Sequence, residues 1–153
     1  MRTYDVTLAD LPEQQTAVVR AQVPHHGIGD FIGGAFGEVM GALARSGQQP
    51  SGAPFARYHL IEDGFDVEAG FPVRGAFTDA GRVVGSSLPA GPAARVVHQG
   101  AYADVAAAYQ AAVRWIAENA MQQNGDAWER YLDEPSVPEP RTEVFVPCTP
   151  AHR

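Results

Sequence analysis

The sequence repeats itself at an offset of about 73 residues, and this repeat restricts the possible folds more than any other feature. The matching positions occur in the same order in both halves of the chain. They are Phe36 with Tyr109, Arg57-Tyr58 with Arg130-Tyr131, and Glu68-x-x-x-Pro72 with Glu143-x-x-x-Pro147, the last at an offset of 75. A repeat of this length predicts two related halves, about 1–80 and 81–153, with pseudo-two-fold symmetry.

Two segments have apolar residues at the spacing of a helix face. These residues are Ile28, Phe31, Ile32, Phe36, Val39, Met40 and Leu43 in the first, and Tyr102, Val105, Tyr109, Ala112, Val113 and Ile116 in the second. Gly33, Gly34, Gly37 and Gly41 weaken the first helix. Either they let another element or a ligand approach the backbone, or the helix is loosely wound and stabilised by packing. Trp115 lies at the edge of the second stripe, where an aromatic ring can border a cleft.

The other segments are typical of strands bounded by turn residues. We predict strands over 4–8, 16–23, 55–61, 65–73, 93–98, 127–133 and 142–146, with hairpins at Pro12-Glu13-Gln14 and at Glu62-Asp63-Gly64. The order ββαββ followed by βαββ indicates an antiparallel α+β fold. Together with the repeat it predicts one domain, residues 1–153, made of duplicated βαββ units. They would form one antiparallel sheet with two helices on one face and a central ligand cleft.

Charge and composition restrict the class of function. The 153 residues carry a net charge of −7 and include no lysine, which argues against nucleic-acid binding and is compatible with a cationic ligand. A single cysteine, Cys148, excludes an internal disulfide. Neither a signal-peptide pattern nor an apolar run of about 18 residues is present, so we expect a cytoplasmic protein that does not enter a membrane.

The two halves differ at a position that bears on function. Ala56 in the first half corresponds to Glu129 in the second. Strand alternation places Glu129 on the same face as Tyr131 and Ala127 and turns Trp128 away. A carboxyl group buried among aromatic rings has a raised pKa and suits a lipophilic cation. The alternative is that Glu129 points to solvent and pairs with an arginine on a neighbouring strand.

Several motifs, spread over nearly the whole chain, together point to a known family. They are Pro54-Phe55-Ala56-Arg57-Tyr58-His59, Asp66–Val73, Leu88-Pro89-Ala90-Gly91, His98-Gln99-Gly100-Ala101-Tyr102, and Trp128–Leu132 with Thr142-Glu143-Val144 and Pro147. As a set they resemble the GyrI-like small-molecule-binding domains, which also serve as effector-binding domains of bacterial multidrug-sensing transcription regulators. The resemblance implies a duplicated βαββ fold and a glutamate at the position of Glu129, facing a ligand cleft lined by aromatic residues.

The resemblance therefore implies a multidrug-type binding domain for amphipathic, cationic aromatic ligands. The candidate ligand-binding residues are Glu129, Tyr131, Tyr58, Tyr102, Tyr109, Trp115, Phe31 and Phe36. Each aromatic residue on this list could instead pack in the core. No helix-turn-helix region precedes the first predicted strand, so we expect a stand-alone module without direct nucleic-acid binding.

Two alternatives follow from other members of the same family. One is a hydrolase of electrophilic, cyclopropane-bearing natural products, in which Glu129 would be the catalytic base and Tyr131 or Tyr58 a hydrogen-bond donor. The other is a protein that interacts with DNA gyrase. We expect no cofactor and no metal site, because His25, His26 and His98 lack the spacing of a metal-binding set. Glu68 and Glu143 alternate with apolar neighbours and are predicted to face solvent.

Overall fold

The computed structural model describes residues 4–134 and 136–151. The elements, in chain order, are β1 (Thr7–Leu11), β2 (Gln14–Val23), α1 (Ile28–Arg45), β3 (Phe55–Ile61), β4 (Gly64–Val73), β5 (Val84–Leu88), β6 (Gly91–Gln99), α2 (Ala106–Glu118), β7 (Met121–Gln123), β8 (Trp128–Tyr131) and β9 (Arg141–Pro150). Short 3₁₀ turns at His25–Gly27 and Tyr102–Asp104 precede the helices. The described residues form two compact units: unit 1 from those within Met1–Pro12 and Ala90–Arg153, and unit 2 from Glu13–Pro89.

Unit 2 is an antiparallel sheet of strand order β3-β4-β2-β5, with α1 packed against β2 and β4. The predicted hairpin at Glu62-Asp63-Gly64 is confirmed, since β3 pairs with β4 and Ile61 lies opposite Gly64. The helix buries one stripe of side chains: Ala35, Val39, Ala42 and Leu43. The apolar spacing of the sequence therefore located the first helix, and the Asp63-Gly64 turn signal located the hairpin that follows it.

Unit 1 is an antiparallel sheet of strand order β8-β9-β6-β1, and β7 pairs with the far end of β9. Helix α2 covers one face of this sheet. The core between them contains Ala94, Val96, Ala108, Ala112, Ile116, Val144, Val146 and Cys148. This helix-covered face is the one that carries the candidate site described below.

The antiparallel α+β fold class is thus confirmed, with one helix packed on the sheet of each unit. The two units also have the same strand order: β2, β3, β4 and β5 occupy the places in unit 2 that β6, β8, β9 and β1 occupy in unit 1. Descent of the two halves from a duplication remains a prediction from the sequence.

The predicted hairpin between residues 4–8 and 16–23 is wrong. Strand β1 pairs with β6, whereas β2 pairs with β4 and β5. Only Pro12 and Glu13 separate β1 from β2. A two-residue hairpin loop needs residues that tolerate positive φ, and neither proline nor glutamate supplies this. The chain therefore passes from the sheet of one unit to the sheet of the other.

Three further differences have local causes. Strand β5 escaped prediction because Gly85-Ser86-Ser87 at its centre has low strand propensity, and β7 has only three residues. Val113 was predicted on the apolar face of the second helix but is 52% exposed. The buried stripe of α2 runs through Ala108, Ala112 and Ile116, and Val113 is turned about 100° from Ala112.

The glycines of α1 do not serve close contact with another part of the described chain. A Cβ atom added at Gly33, Gly34 or Gly37 would meet no described atom within 4 Å, and at Gly41 it would meet only the Arg45 guanidinium. No described element therefore approaches these glycines closely, whereas the approach of a ligand to them stays a prediction. In the part of the chain that the structure describes, no helix combines the length and apolar character needed to span a bilayer.

Candidate functional site

The sheet of unit 1 carries two buried glutamates on opposite faces. Glu129 of β8 is 7% exposed and Glu143 of β9 is 4% exposed. Glu129 lies opposite Val144, whose side chain packs in the core beneath α2, so Glu129 shares the helix-covered face. Glu143, one residue earlier on β9, points to the other face. The prediction that Glu143 faces solvent is therefore wrong.

Two tyrosine hydroxyls hold the Glu129 carboxylate. Tyr131, two residues further along β8, donates to Oε1 at 2.8 Å, and Tyr109 of α2 donates to Oε2 at 2.7 Å. Among the residues that the structure describes, no arginine forms an ion pair with Glu129. The alternative of a solvent-facing Glu129 paired with an arginine is wrong, and the predicted shared face of Glu129 and Tyr131 is confirmed.

Burial raises the pKa of the Glu129 carboxyl above its ordinary value. The hydrogen bonds from Tyr109 and Tyr131, and the electrostatic influence of His98, oppose this rise without cancelling it. A carboxylate that lacks a cationic partner in a poorly solvated place is destabilised in its charged form. A bound cation would supply the missing partner and lower the pKa again.

Tyr102 extends the aromatic surroundings of Glu129. Its ring lies 5.7 Å from the ring of Tyr131, at an interplanar angle of 76°, and its hydroxyl donates to the Asp133 carbonyl at 3.2 Å. Burial, followed by the charges of Asp133 and Glu129, raises the pKa of the Tyr102 hydroxyl. The Tyr102 hydroxyl therefore remains a neutral hydrogen-bonding group near neutral pH.

His98 of β6 is fully buried on the same face and was not predicted as a site residue. Its Nε2 lies 2.9 Å from the Ala101 carbonyl, and its Nδ1 lies 2.9 Å from the Tyr4 hydroxyl. A carbonyl only accepts, so Nε2 carries a proton and donates to Ala101, while Nδ1 and the Tyr4 hydroxyl share the second hydrogen bond. Its only signal in the sequence is its place in the motif His98-Gln99-Gly100-Ala101-Tyr102.

The other predicted aromatic residues have different surroundings. Trp115 packs, half-buried, against the core beneath α2. In unit 2 the Tyr58 ring lies 5.7 Å from that of Phe65, and the Phe36 ring 5.7 Å from that of Phe71. Phe31 is half-buried near the start of α1. Their role in ligand binding stays a prediction, whereas Glu129, Tyr131, Tyr109 and Tyr102 form one connected cluster.

The face opposite Glu129 shows how the same sheet neutralises a buried acid. Glu143 accepts hydrogen bonds from Nε of Arg95 and from Nε of Arg130, both at 2.6 Å. Burial alone would raise the pKa of Glu143, but these two arginines outweigh it and hold the pKa below its usual value. Trp128 stacks on Phe145 at 4.2 Å, and the Arg130 guanidinium lies 5.1 Å from the Phe145 ring.

Within residues 4–134 and 136–151, no cluster of three or more histidine, cysteine, aspartate or glutamate side chains could hold a metal ion. On the helix-covered face the described residues bring together the Glu129 carboxyl group, several phenols and the His98 imidazole. Such a set can bind a cation or move a proton.

Removal of the Glu129 charge is expected to stabilise the unliganded protein. Because the folded-state pKa is raised, this group's contribution to stability is complete below the unfolded-state pKa and is lost as pH rises through the folded-state pKa. Near pH 7.5 the free energy of unfolding of Glu129→Gln should therefore exceed that of wild type by about 1 kcal/mol. Urea unfolding at several pH values measures this, and a difference that persists unchanged near pH 4 contradicts it.

Comparison with known proteins agrees with the fold and with the motifs. The chain belongs to the GyrI-like family, described as a small-molecule-binding domain, whose family profile matches residues 4–149. A comparison with curated proteins finds no match.

Several solved structures have the same fold. EcmrR in a complex with DNA superposes with a TM-score of 0.83 at 22% identity, over 97% of this chain and 58% of that one. The chain therefore spans little more than half of EcmrR. The EcmrR C-terminal domain superposes with a TM-score of 0.77 at 24% identity, over 98% of this chain and 100% of that one.

Two further structures are relevant to the chemistry considered below. A hydrolase from Listeria innocua has a TM-score of 0.70 at 11% identity, over 94% of this chain and 91% of that one. SAV2435 bound to tetraphenylphosphonium has a TM-score of 0.66 at 13% identity, over 95% and 94%. At these identities the likeness establishes the fold alone.

Proposed function

We propose that this GyrI-like domain binds amphipathic cations with aromatic rings, and that Glu129 is the counter-charge. One observation carries the proposal: a buried carboxylate, held by two tyrosine hydroxyls, that has no arginine partner among the described residues. Glu143 in the same sheet shows that the fold has arginines available to neutralise an acid. Glu129 has no such arginine among the described residues, so the cation of a ligand can supply the counter-charge for its carboxylate.

The tyrosines favour this class of ligand for two reasons. Their rings provide apolar area and a negative face that attracts a cation, as in sites for quaternary ammonium groups. Their hydroxyls fix the Glu129 oxygens, so the carboxylate needs no rearrangement when the ligand arrives. SAV2435, a structural neighbour, is known with tetraphenylphosphonium bound, and we propose that the present chain accepts the same kind of ion.

Isothermal titration with tetraphenylphosphonium tests the proposal. Tetraphenylborate, which has the same shape and the opposite charge, is the ligand control. Wild type should bind the cation and not the anion. Glu129→Gln should weaken cation binding roughly 10- to 100-fold, because a charged partner is lost from a poorly solvated site.

Two variants separate the site from the overall charge of the protein. Glu68→Gln removes one negative charge from unit 2 and should leave affinity unchanged.

Affinity for the cation should rise with pH in wild type, as Glu129 loses its proton, and should be independent of pH in Glu129→Gln. Equal affinity in wild type and Glu129→Gln would show that Glu129 is not the counter-charge.

A second candidate function is hydrolysis of an electrophilic substrate. It is favoured by the raised pKa of Glu129, since a carboxylate of raised pKa beside phenol donors can act as a general base on water. Mass spectrometry of incubations with cyclopropane-bearing electrophiles separates the two functions. Product formed over many turnovers, and lost in Glu129→Gln, supports the hydrolase; retained ligand without product supports binding.

A further inference from the structure

Thr142 of β9 is fully buried, yet its hydroxyl has no hydrogen-bond partner among the residues that the structure describes. A buried hydroxyl without a partner costs free energy that valine, which has the same shape, would avoid. Strand β9 is otherwise rich in apolar side chains at its buried positions, so valine would suit this position. The hydroxyl therefore calls for a partner that is not part of the described chain.

The position of Thr142 connects it with the Glu129 site. Thr142 lies opposite Tyr131 on β8 and opposite His98 on β6. Residues directly opposite on antiparallel strands share a face, so the hydroxyl lies on the helix-covered face between these two side chains. The Tyr131 hydroxyl binds the Glu129 carboxylate, which places Thr142 beside the proposed cation site.

The polar side chains next to Thr142 form their hydrogen bonds with other groups. His98 uses Nε2 for the Ala101 carbonyl and Nδ1 for the Tyr4 hydroxyl, and Tyr131 donates its hydrogen to Glu129. The Tyr4 and Tyr131 hydroxyl oxygens each keep a lone pair that can accept a hydrogen bond from a further group. A ligand hydroxyl, which can both donate and accept a hydrogen bond, would therefore find partners next to Thr142.

We propose that Thr142 forms a hydrogen-bonding subsite next to Glu129, which takes a hydroxyl or carbonyl oxygen of the bound cation. The proposal rests on the proposed function, because the ligand is the cation held by Glu129. It narrows the ligand class to amphipathic cations that carry such an oxygen.

Three phosphonium ions test the subsite. Tetraphenylphosphonium has no hydrogen-bonding group, whereas the 3- and 4-(hydroxyphenyl)triphenylphosphonium ions add a single hydroxyl. Wild type should bind at least one hydroxylated ion roughly 3- to 10-fold more tightly than the parent ion, the range for one neutral hydrogen bond. Thr142→Val should abolish this preference while binding the parent ion with unchanged affinity.

Three further variants serve as controls. Thr142→Ser keeps the hydroxyl and should keep the preference, and Thr142→Ala serves as a second deletion if the valine variant does not fold. Thr16 of unit 2 carries the other threonine hydroxyl that is buried without a partner among the described residues. Thr16→Val should therefore leave the affinities for the parent and the hydroxylated ions unchanged.

The outcomes are distinguishable. Loss of the preference in Thr142→Val and Thr142→Ala, but not in Thr142→Ser or Thr16→Val, supports the subsite. Equal affinity of wild type for all probes, or equal weakening of all probes by Thr142→Val, overturns the subsite and leaves cation binding standing. Failure of wild type to bind any phosphonium ion overturns the proposed function and the subsite with it.

Discussion

Glu143→Gln is expected to lower the free energy of unfolding by about 3 kcal/mol near neutral pH. The carboxylate is 4% exposed and accepts a hydrogen bond from each of Arg95 and Arg130. Glutamine would leave two guanidinium groups without their counter-charge on a largely buried face. The arginine side chains are 36% and 30% exposed, so water relieves part of the cost and the protein still folds.

The dependence on pH identifies the cause. The folded-state pKa of Glu143 is lowered, so its contribution to stability is present above the unfolded-state pKa and is lost as pH falls through the folded-state pKa. Urea unfolding of wild type and Glu143→Gln should therefore show a large difference near pH 7 that shrinks as the solution is acidified. Because the pKa of Glu129 is raised, the difference in free energy of unfolding between wild type and Glu129→Gln should have the opposite sign.

Glu68→Gln is the matched control, because Glu68 is the repeat counterpart of Glu143. Glu68 accepts from Arg20 at 2.8 Å, and that arginine side chain is 54% exposed. Nε of Arg57, the counterpart of Arg130, has no hydrogen-bond partner among the described residues. We expect a loss of about 0.5 kcal/mol. Equal losses for Glu68→Gln and Glu143→Gln would contradict the account given for Glu143.

Gly70→Ala is expected to destabilise unit 2 by about 3 kcal/mol or more. Gly70 of β4 lies between β2 and β3, opposite Val18 and Phe55. A Cβ atom there would overlap the backbone carbonyl of Ala17, which a paired central strand cannot move aside. The loss of stability arises because the backbone at Ala17 must be displaced, not because alanine would adopt a strained φ at position 70.

Gly75→Ala is the control for this substitution, since a Cβ at Gly75 would meet no described atom within 4 Å. Thermal unfolding of the two variants and wild type measures the difference. Gly70→Ala should lose many degrees of melting temperature, or fail to fold, while Gly75→Ala stays close to wild type. A Gly70→Ala protein as stable as wild type would show that β2 and β4 can separate at little cost.

The part of the site that the sequence could predict depends on short-range rules. Glu129 and Tyr131 share a face because strand side chains alternate, and Tyr109 was assigned to the inner face of α2 by helical spacing. The difference between Ala56 and Glu129 drew attention to the right strand because the repeat supplied an internal comparison. None of these inferences required knowledge of how the strands pair.

The parts that escaped prediction depend on pairing between distant strands. Glu143 was assigned to solvent because alternation shows which side a residue faces but not what covers that side. Its burial requires Arg95 and Arg130, which the register of β6, β8 and β9 brings together. His98 and Thr142 likewise gain their significance only once β6 is known to lie beside β9.

The assignment of β1 to unit 1 has a consequence for the order in which the protein is made. Unit 2 is one continuous segment, Glu13–Pro89, whereas unit 1 needs β1 together with everything from Ala90 onward. Synthesis proceeds from the N-terminus, so unit 2 can fold on the ribosome while β1 remains an unpaired segment until β6 emerges. The last strand, β9, completes the surroundings of Glu129. The surroundings of Glu129 are therefore complete only after β9 has been synthesised.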